Sequence, residues 1–138
     1  MEHYEFLLRL LICFILNFIV GLERELSGSS AGLCTNIIVC LGAFLFVSAS
    51  FYEYDDDMMR IPAKVISGIG FLGAGSIIIN DNKIIGLNTA ATMWCVAAIG
   101  ILSALNLIFE AVVGTFAIVF TNIFVRKIQK KHSSCSSL

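Results

Sequence analysis

The sequence predicts an all-α integral membrane protein, a compact bundle of five (alternatively four) transmembrane helices. Three observations carry this. The chain has 138 residues, 58% hydrophobic and only 14% charged, where an ordinary soluble domain is about a quarter charged. Its mean hydropathy is +0.91. The charges are also gathered at intervals, leaving charge-free runs at Leu10–Leu22, Leu26–Tyr52, Val65–Asn80, Ile84–Phe109 and Ala111–Val125. With partly apolar flanks each run approaches the ~20 residues needed to cross a bilayer as a helix.

Taken in order, the first helix is expected over Tyr4–Leu22. A cleaved signal peptide is the competing interpretation, but Glu2 and Glu5 stand where a basic leader belongs and the run ends in Glu23-Arg24-Glu25, with no small-residue cleavage site. The segment is therefore expected to be retained. The second helix is expected over Asn36–Tyr52 and the third over Ala63–Ile79. The fourth and fifth, Leu87–Leu105 and Leu107–Val125, form one apolar stretch broken only by Asn106 and Glu110. That is too long for one span, so a tight turn around Ser103–Leu107 is required; a bent or re-entrant last segment gives the four-helix alternative. Residues 1–125 then make the membrane domain and 126–138 a short basic and polar tail.

Lys and Arg counted beside the spans set the orientation. A cytoplasmic carboxyl terminus places Arg24, Lys83, Arg126, Lys127, Lys130 and Lys131 inside, against Arg9, Arg60 and Lys64 outside. The amino terminus and the acidic loop EYDDDMMR then face outward.

Gly68-x-Gly70-x-x-Gly73 spells a dinucleotide-binding turn. That pattern needs a preceding strand, a following helix and an acid about 20 residues on. Asp81 comes too early and no second βαβ unit follows, so no nucleotide cofactor is expected. In a membrane helix the same small residues serve close packing. Ser67, Gly70, Gly73 and Ala74 share an arc of roughly 120° on a helical wheel, and Ala90, Ala97, Gly100 and Ala104 one of roughly 80°. Ala111, Gly114 and Thr121 continue the pattern. Helices three to five are accordingly expected at the tight centre of the bundle, with Gly68 and Gly75 placed to permit a break in the third.

Other chemistry is sparse. The five cysteines form no C-x-x-C pair, Cys13, Cys40 and Cys95 falling within spans. His3 and His132 lie at opposite ends and cannot share a metal. No Ser/His/Asp set or buried carboxylate pair is present, so no enzyme, cofactor or metal centre is expected. For a divalent cation the run Glu53-x-Asp55-Asp56-Asp57 is the only candidate, with Asp55, Asp56 and Asp57 as the oxygen ligands. A formal net charge of -1 offers no basic surface for nucleic acid. Glu23, Arg24, Glu25, Thr35, Asn36, Asn88 and Thr89 gather near one membrane face. They are expected either to contact a partner or cap the bundle there, or else the charged residues stop a helix at the headgroups while Thr35, Asn36, Asn88 and Thr89 cap helix starts.

The stretches GLERE, AGLCTNIIVCLGA, RIPAKVISGIGFLGAGSII and GLNTAATMWCVAAIGI resemble, in order and spacing from Gly21 to Leu105, the signatures of the MgtC/SapB family of bacterial inner-membrane proteins. The resemblance implies a hydrophobic domain of four or five spans, here without the cytoplasmic carboxyl-terminal domain that longer members add. It also implies a link to growth in low magnesium and to survival inside macrophages, exercised by regulating other membrane proteins. The F-type ATP synthase is one candidate partner, and self-association within the lipid bilayer is another arrangement. A small magnesium transporter or channel is the alternative function. Two positions depart from the family pattern: Cys34 and Ile85 stand where arginines are usual. Glu23, Glu25 and Asp81 thereby lose two cationic partners, leaving Arg24 and Lys83 as substitutes.

Overall fold

The computed structural model describes residues 3–52, 59–80 and 83–135, with backbone alone for 83 and 125–135. Five helices follow in chain order: α1 (His3–Leu26), α2 (Leu33–Ser50), α3 (Arg60–Gly75), α4 (Leu87–Ala104) and α5 (Ile108–Cys135). Between α3 and α4 lies a short antiparallel hairpin of β1 (Ile78–Asn80) and β2 (Lys83–Ile85). The acidic run 53–57 and Asp81 lie outside the described residues.

Three helices, α1, α2 and α4, are long and apolar enough to cross a membrane, and α5 is apolar over Ile108–Phe124. At 16 residues, α3 is the shortest. Its sequence run extends to Ile79, but the helix stops at Gly75, where the Ser76 hydroxyl and amide both turn back to the Gly73 carbonyl. No break occurs at Gly68.

Two helix ends are closed by left-handed residues. After α1, Gly28 has φ 67; its N–H donates to the Glu25 carbonyl and that of Ser29 to the Arg24 carbonyl, at 3.0 and 3.1 Å. After α4, Asn106 has φ 64 and makes the same pair of bonds, Asn106 N–H to Ser103 and Leu107 N–H to Leu102. This is the Schellman arrangement, which satisfies the last carbonyls of a helix and reverses the chain within a few residues. It is the tight turn the apolar stretch requires, and it makes α4 and α5 separate helices.

The centre of the bundle is not where the small-residue pattern places it. α4 is central and contacts every other helix, but its most extensive partner is α2, which also packs along α1. Cys13, Val20, Cys40, Phe44, Val47, Val96 and Ile99 form the interior, and Phe6 sits on Phe44 with ring centroids 5.5 Å apart. On α4, Ala97, Gly100 and Ala104 are buried. A β-carbon at Gly100 would strike the Cys40 carbonyl and lie 3.1 Å from the Ala43 β-carbon, so α2 crosses α4 at backbone contact.

On α3 the expected face is corrected. Ser67, Gly70 and Ala74 are exposed, while Pro62, Ile69 and Gly73 are buried. The inward face is rotated by roughly 90° from the small-residue arc, with Gly73 at their common edge. Close approach needs only one of two helices to be small. Because α4 brings Ala90 and Ala97, α3 can turn the bulk of Ile69 inward. Of the small-residue arc only Gly73 is buried, its β-carbon position lying 3.5 Å from that of Ala90.

The outer surface is apolar as well, with Phe46, Phe71, Phe109, Phe116 and Phe120 all exposed. A bundle that is hydrophobic inside and out is one whose solvent is lipid.

Candidate functional site at one end of the bundle

At the end of the bundle where α1 stops and α2 and α4 begin, the sequence places seven polar residues. The structure joins most of them through the loop at 27–32. Arg24 is only 1% exposed. Its Nε donates to one oxygen of Glu23 at 2.7 Å and a terminal nitrogen to the other at 2.6 Å. This two-point geometry suits the planar guanidinium and carboxylate. The Ser27 hydroxyl adds a third bond to Glu23, at 2.7 Å.

Glu25 points the other way and accepts the Leu33 N–H at 2.9 Å. Gly32 is the residue preceding α2 and supplies no side chain, so a carboxylate from α1 provides the cap. A β-carbon at Gly32 would meet the Glu25 carboxylate where it now lies, so a side chain there would displace this cap. Asn36 is buried within α2 and donates to the carbonyls of Ala31 and Gly32, at 2.9 and 2.7 Å. On the α4 side the hydroxyls of Ser29 and Thr89 lie 3.0 Å apart. Glu23, Arg24, Glu25, Asn36 and Thr89 therefore brace one loop.

Thr35 and Asn88 stand apart. Both are exposed, and what Asn88 contributes is a carbonyl that accepts the Thr92 hydroxyl. The expected capping by Thr35, Asn36, Asn88 and Thr89 is corrected: the residues at the cap positions of α2 and α4 are Gly32 and Gly86, ahead of these residues. Arg24 pairs with Glu23, whereas Glu25 binds backbone. Ser27 and Ser29 were not legible as members, because their roles depend on how the loop folds back.

Within the spans, most hydroxyls are spent on their own helix. Ser76, Thr92, Ser103, Thr115 and Thr121 each donate to a carbonyl three or four residues earlier, at 2.7–2.8 Å, a habit of Ser and Thr in helices. The amide of Asn17, fully buried, has no hydrogen-bond partner at either atom, and Asn122 Nδ2 has none. The Cys13 and Cys40 sulfurs meet at 3.3 Å between α1 and α2. Among the described residues no group of three His, Cys, Asp or Glu side chains is placed to hold a metal, and Asp55, Asp56 and Asp57 fall outside them.

Residues 10–131 match the MgtC family. This chain belongs to that family. It is 46% identical over 127 residues to an uncharacterized protein of Synechocystis sp., covering 91% of this chain and 54% of that protein. It is 41% identical over 124 residues to Protein MgtC of Salmonella typhimurium, covering 90% and 54%. To Protein MgtC of Brucella abortus it is 44% identical over 114 residues, covering 82% and 48%. The chain thus spans about half the length of the curated relatives it matches. No solved structure matches it. The family match covers α2, α3 and α4 completely, and with them the braced loop and its Glu23–Arg24 pair.

Proposed function

We propose that this MgtC-family protein is a non-enzymatic regulator of the bacterial inner membrane, acting by lateral helix contacts with other integral membrane proteins. Its carboxyl terminus is cytoplasmic in this reading, and the braced loop faces the cytoplasm. The observation that carries it is the use made of the polar residues inside the spans. Of Ser67, Ser76, Thr92, Thr115, Thr121 and Asn17, four hydroxyls are bound to their own helix and Ser67 faces outward. A translocation path needs polar groups turned toward a common lumen, and all of these but Asn17 are committed elsewhere. The exposed arc of Ser67, Gly70 and Ala74 supports the same reading. A β-carbon at Gly70 meets nothing within 4 Å, so this flank of α3 leaves room for a close-packed helix from another protein.

The F-type ATP synthase is the first partner to test, and adaptation to low magnesium the setting. Affinity purification from native membranes in mild detergent should recover a specific membrane partner with the unmodified chain and lose it with Gly70→Leu. Recovery of the same proteins with both forms would remove the support drawn from α3.

Transport of a small ion such as magnesium is the second reading, favoured by the unpartnered amide of Asn17 and the unpartnered Nδ2 of Asn122. Purified protein in vesicles holding a magnesium indicator decides between the two. Saturable uptake that Asn17→Leu abolishes while the fold is kept would replace the regulatory reading with this one.

A further inference from the structure

The hairpin between α3 and α4 carries four isoleucines. Ile78 pairs with Ile85 and Ile79 with Ile84, and alternation along a strand puts the two pairs on opposite faces. All four are exposed, from 57% to 77%. A strand pair built to receive a protein shows it one apolar face and keeps the other polar. A hairpin apolar on both faces has an apolar solvent around it.

The length of α3 shows where that solvent is. Sixteen residues rise ~24 Å, about 6 Å less than a hydrocarbon core of ~30 Å. The hairpin follows after Ser76 and Ile77, and strands of three residues add about 10 Å. Along it the polarity is ordered. The isoleucines lie nearest the base, while Asn80 and Lys83 pair at the far end. On the preceding α3, Phe71 is likewise exposed, at 84%.

The base of the hairpin is closely packed. Gly86 has φ 91, and a β-carbon there would collide with the Ser76 carbonyl. The Gly86 carbonyl accepts the Ala90 N–H at 2.9 Å, which ties the hairpin to the start of α4. Open strand edges are not tolerated within hydrocarbon, so the backbone belongs in the hydrated headgroup layer with the side chains reaching the acyl boundary.

We propose that β1 and β2 form an interfacial anchor that completes the membrane crossing of α3, with the four isoleucines seated between the headgroups and acyl chains of a lipid bilayer. The inference is independent of whether the protein regulates or transports.

The test uses the full chain with its single tryptophan removed by Trp94→Phe and a reporter placed by Ile79→Trp or Ile84→Trp, reconstituted into phosphatidylcholine vesicles. The expected result is blue-shifted emission, loss of intensity when the acyl chains are brominated, and protection from iodide. Asn80→Trp should give red-shifted emission that iodide quenches. Red-shifted, iodide-quenched emission from the isoleucine positions would overturn the proposal by placing the hairpin in water. Blue-shifted emission indifferent to brominated lipid would overturn it by placing a protein surface there. Ile78→Trp and Ile85→Trp read the opposite face, so one variant that fails to fold leaves the decision intact.

Discussion

Among the described residues, Arg24 is the largest side chain fully withdrawn from solvent. Its charge is tolerable only because Glu23 meets it at two points and Ser27 supports Glu23. Removing Glu23 leaves the Arg24 guanidinium buried without its carboxylate, which costs about 3 kcal/mol or more, and removing Arg24 takes two charge-assisted bonds from Glu23. Arg24→Leu and Glu23→Leu should each lower the unfolding midpoint in detergent steeply, and the double variant should lose less than the sum of the two. Additive losses would show that the pair does not couple. Asn106 is a second residue whose local geometry decides its role. Its φ of 64 suits Asn or Gly and disfavours a β-branched side chain. Asn106→Gly should be nearly neutral, and Asn106→Val should destabilise by about 1–2 kcal/mol in the same thermal assay.

Between elements, the contrast of Gly100 and Gly70 tests how the helices pack. At Gly100 an added β-carbon meets backbone of α2, whereas at Gly70 it meets nothing within 4 Å. Backbone cannot swing aside as a side chain can, so α2 and α4 must move apart. Gly100→Ala should cost about 1–3 kcal/mol, and Gly70→Leu should stay within about 0.5 kcal/mol for the protein by itself. Thermal stability of the two purified variants measures the difference; equal losses would mean that α3 packs by its glycine arc after all. The same comparison separates folding from association, because Gly70→Leu is expected to keep the fold and lose the partner.

For the whole molecule, alternation of the helices joins distant parts of the chain at one end. The loop at 27–32, the hairpin and the direction in which α5 runs all lie opposite the α4–α5 turn, where Arg9 of α1 reaches the Ala104 carbonyl at 3.4 Å. Exposed Cys34 lies in the first turn of α2 at the loop end. In a Cys135→Ser background, a membrane-impermeant maleimide should label Cys34 in inside-out vesicles and not in right-side-out ones. Labelling only in right-side-out vesicles would invert the proposed topology.

Membrane character and the five helices were legible in the sequence, because both follow from where charges interrupt apolar runs: Glu23-Arg24-Glu25 ends α1, and Asn106 divides α4 from α5. Such signals are local, and hydropathy reads them. Part of the polar site was legible for the same reason, since Glu23, Arg24, Asn36 and Thr89 are the polar residues at span ends. Which face of a helix turns inward is a different kind of quantity. In lipid an apolar residue gains little by leaving its solvent, so hydrophobicity does not distinguish Ile69, which is buried, from Phe71, which is not. Only the fit against neighbours decides, and for α3 that fit was set by the small residues α4 had already brought. The bracing of the loop was decided in the same way. Glu25 caps α2 and Ser29 reaches Thr89 across 60 positions of chain, pairings that exist only once three helix ends have been brought together.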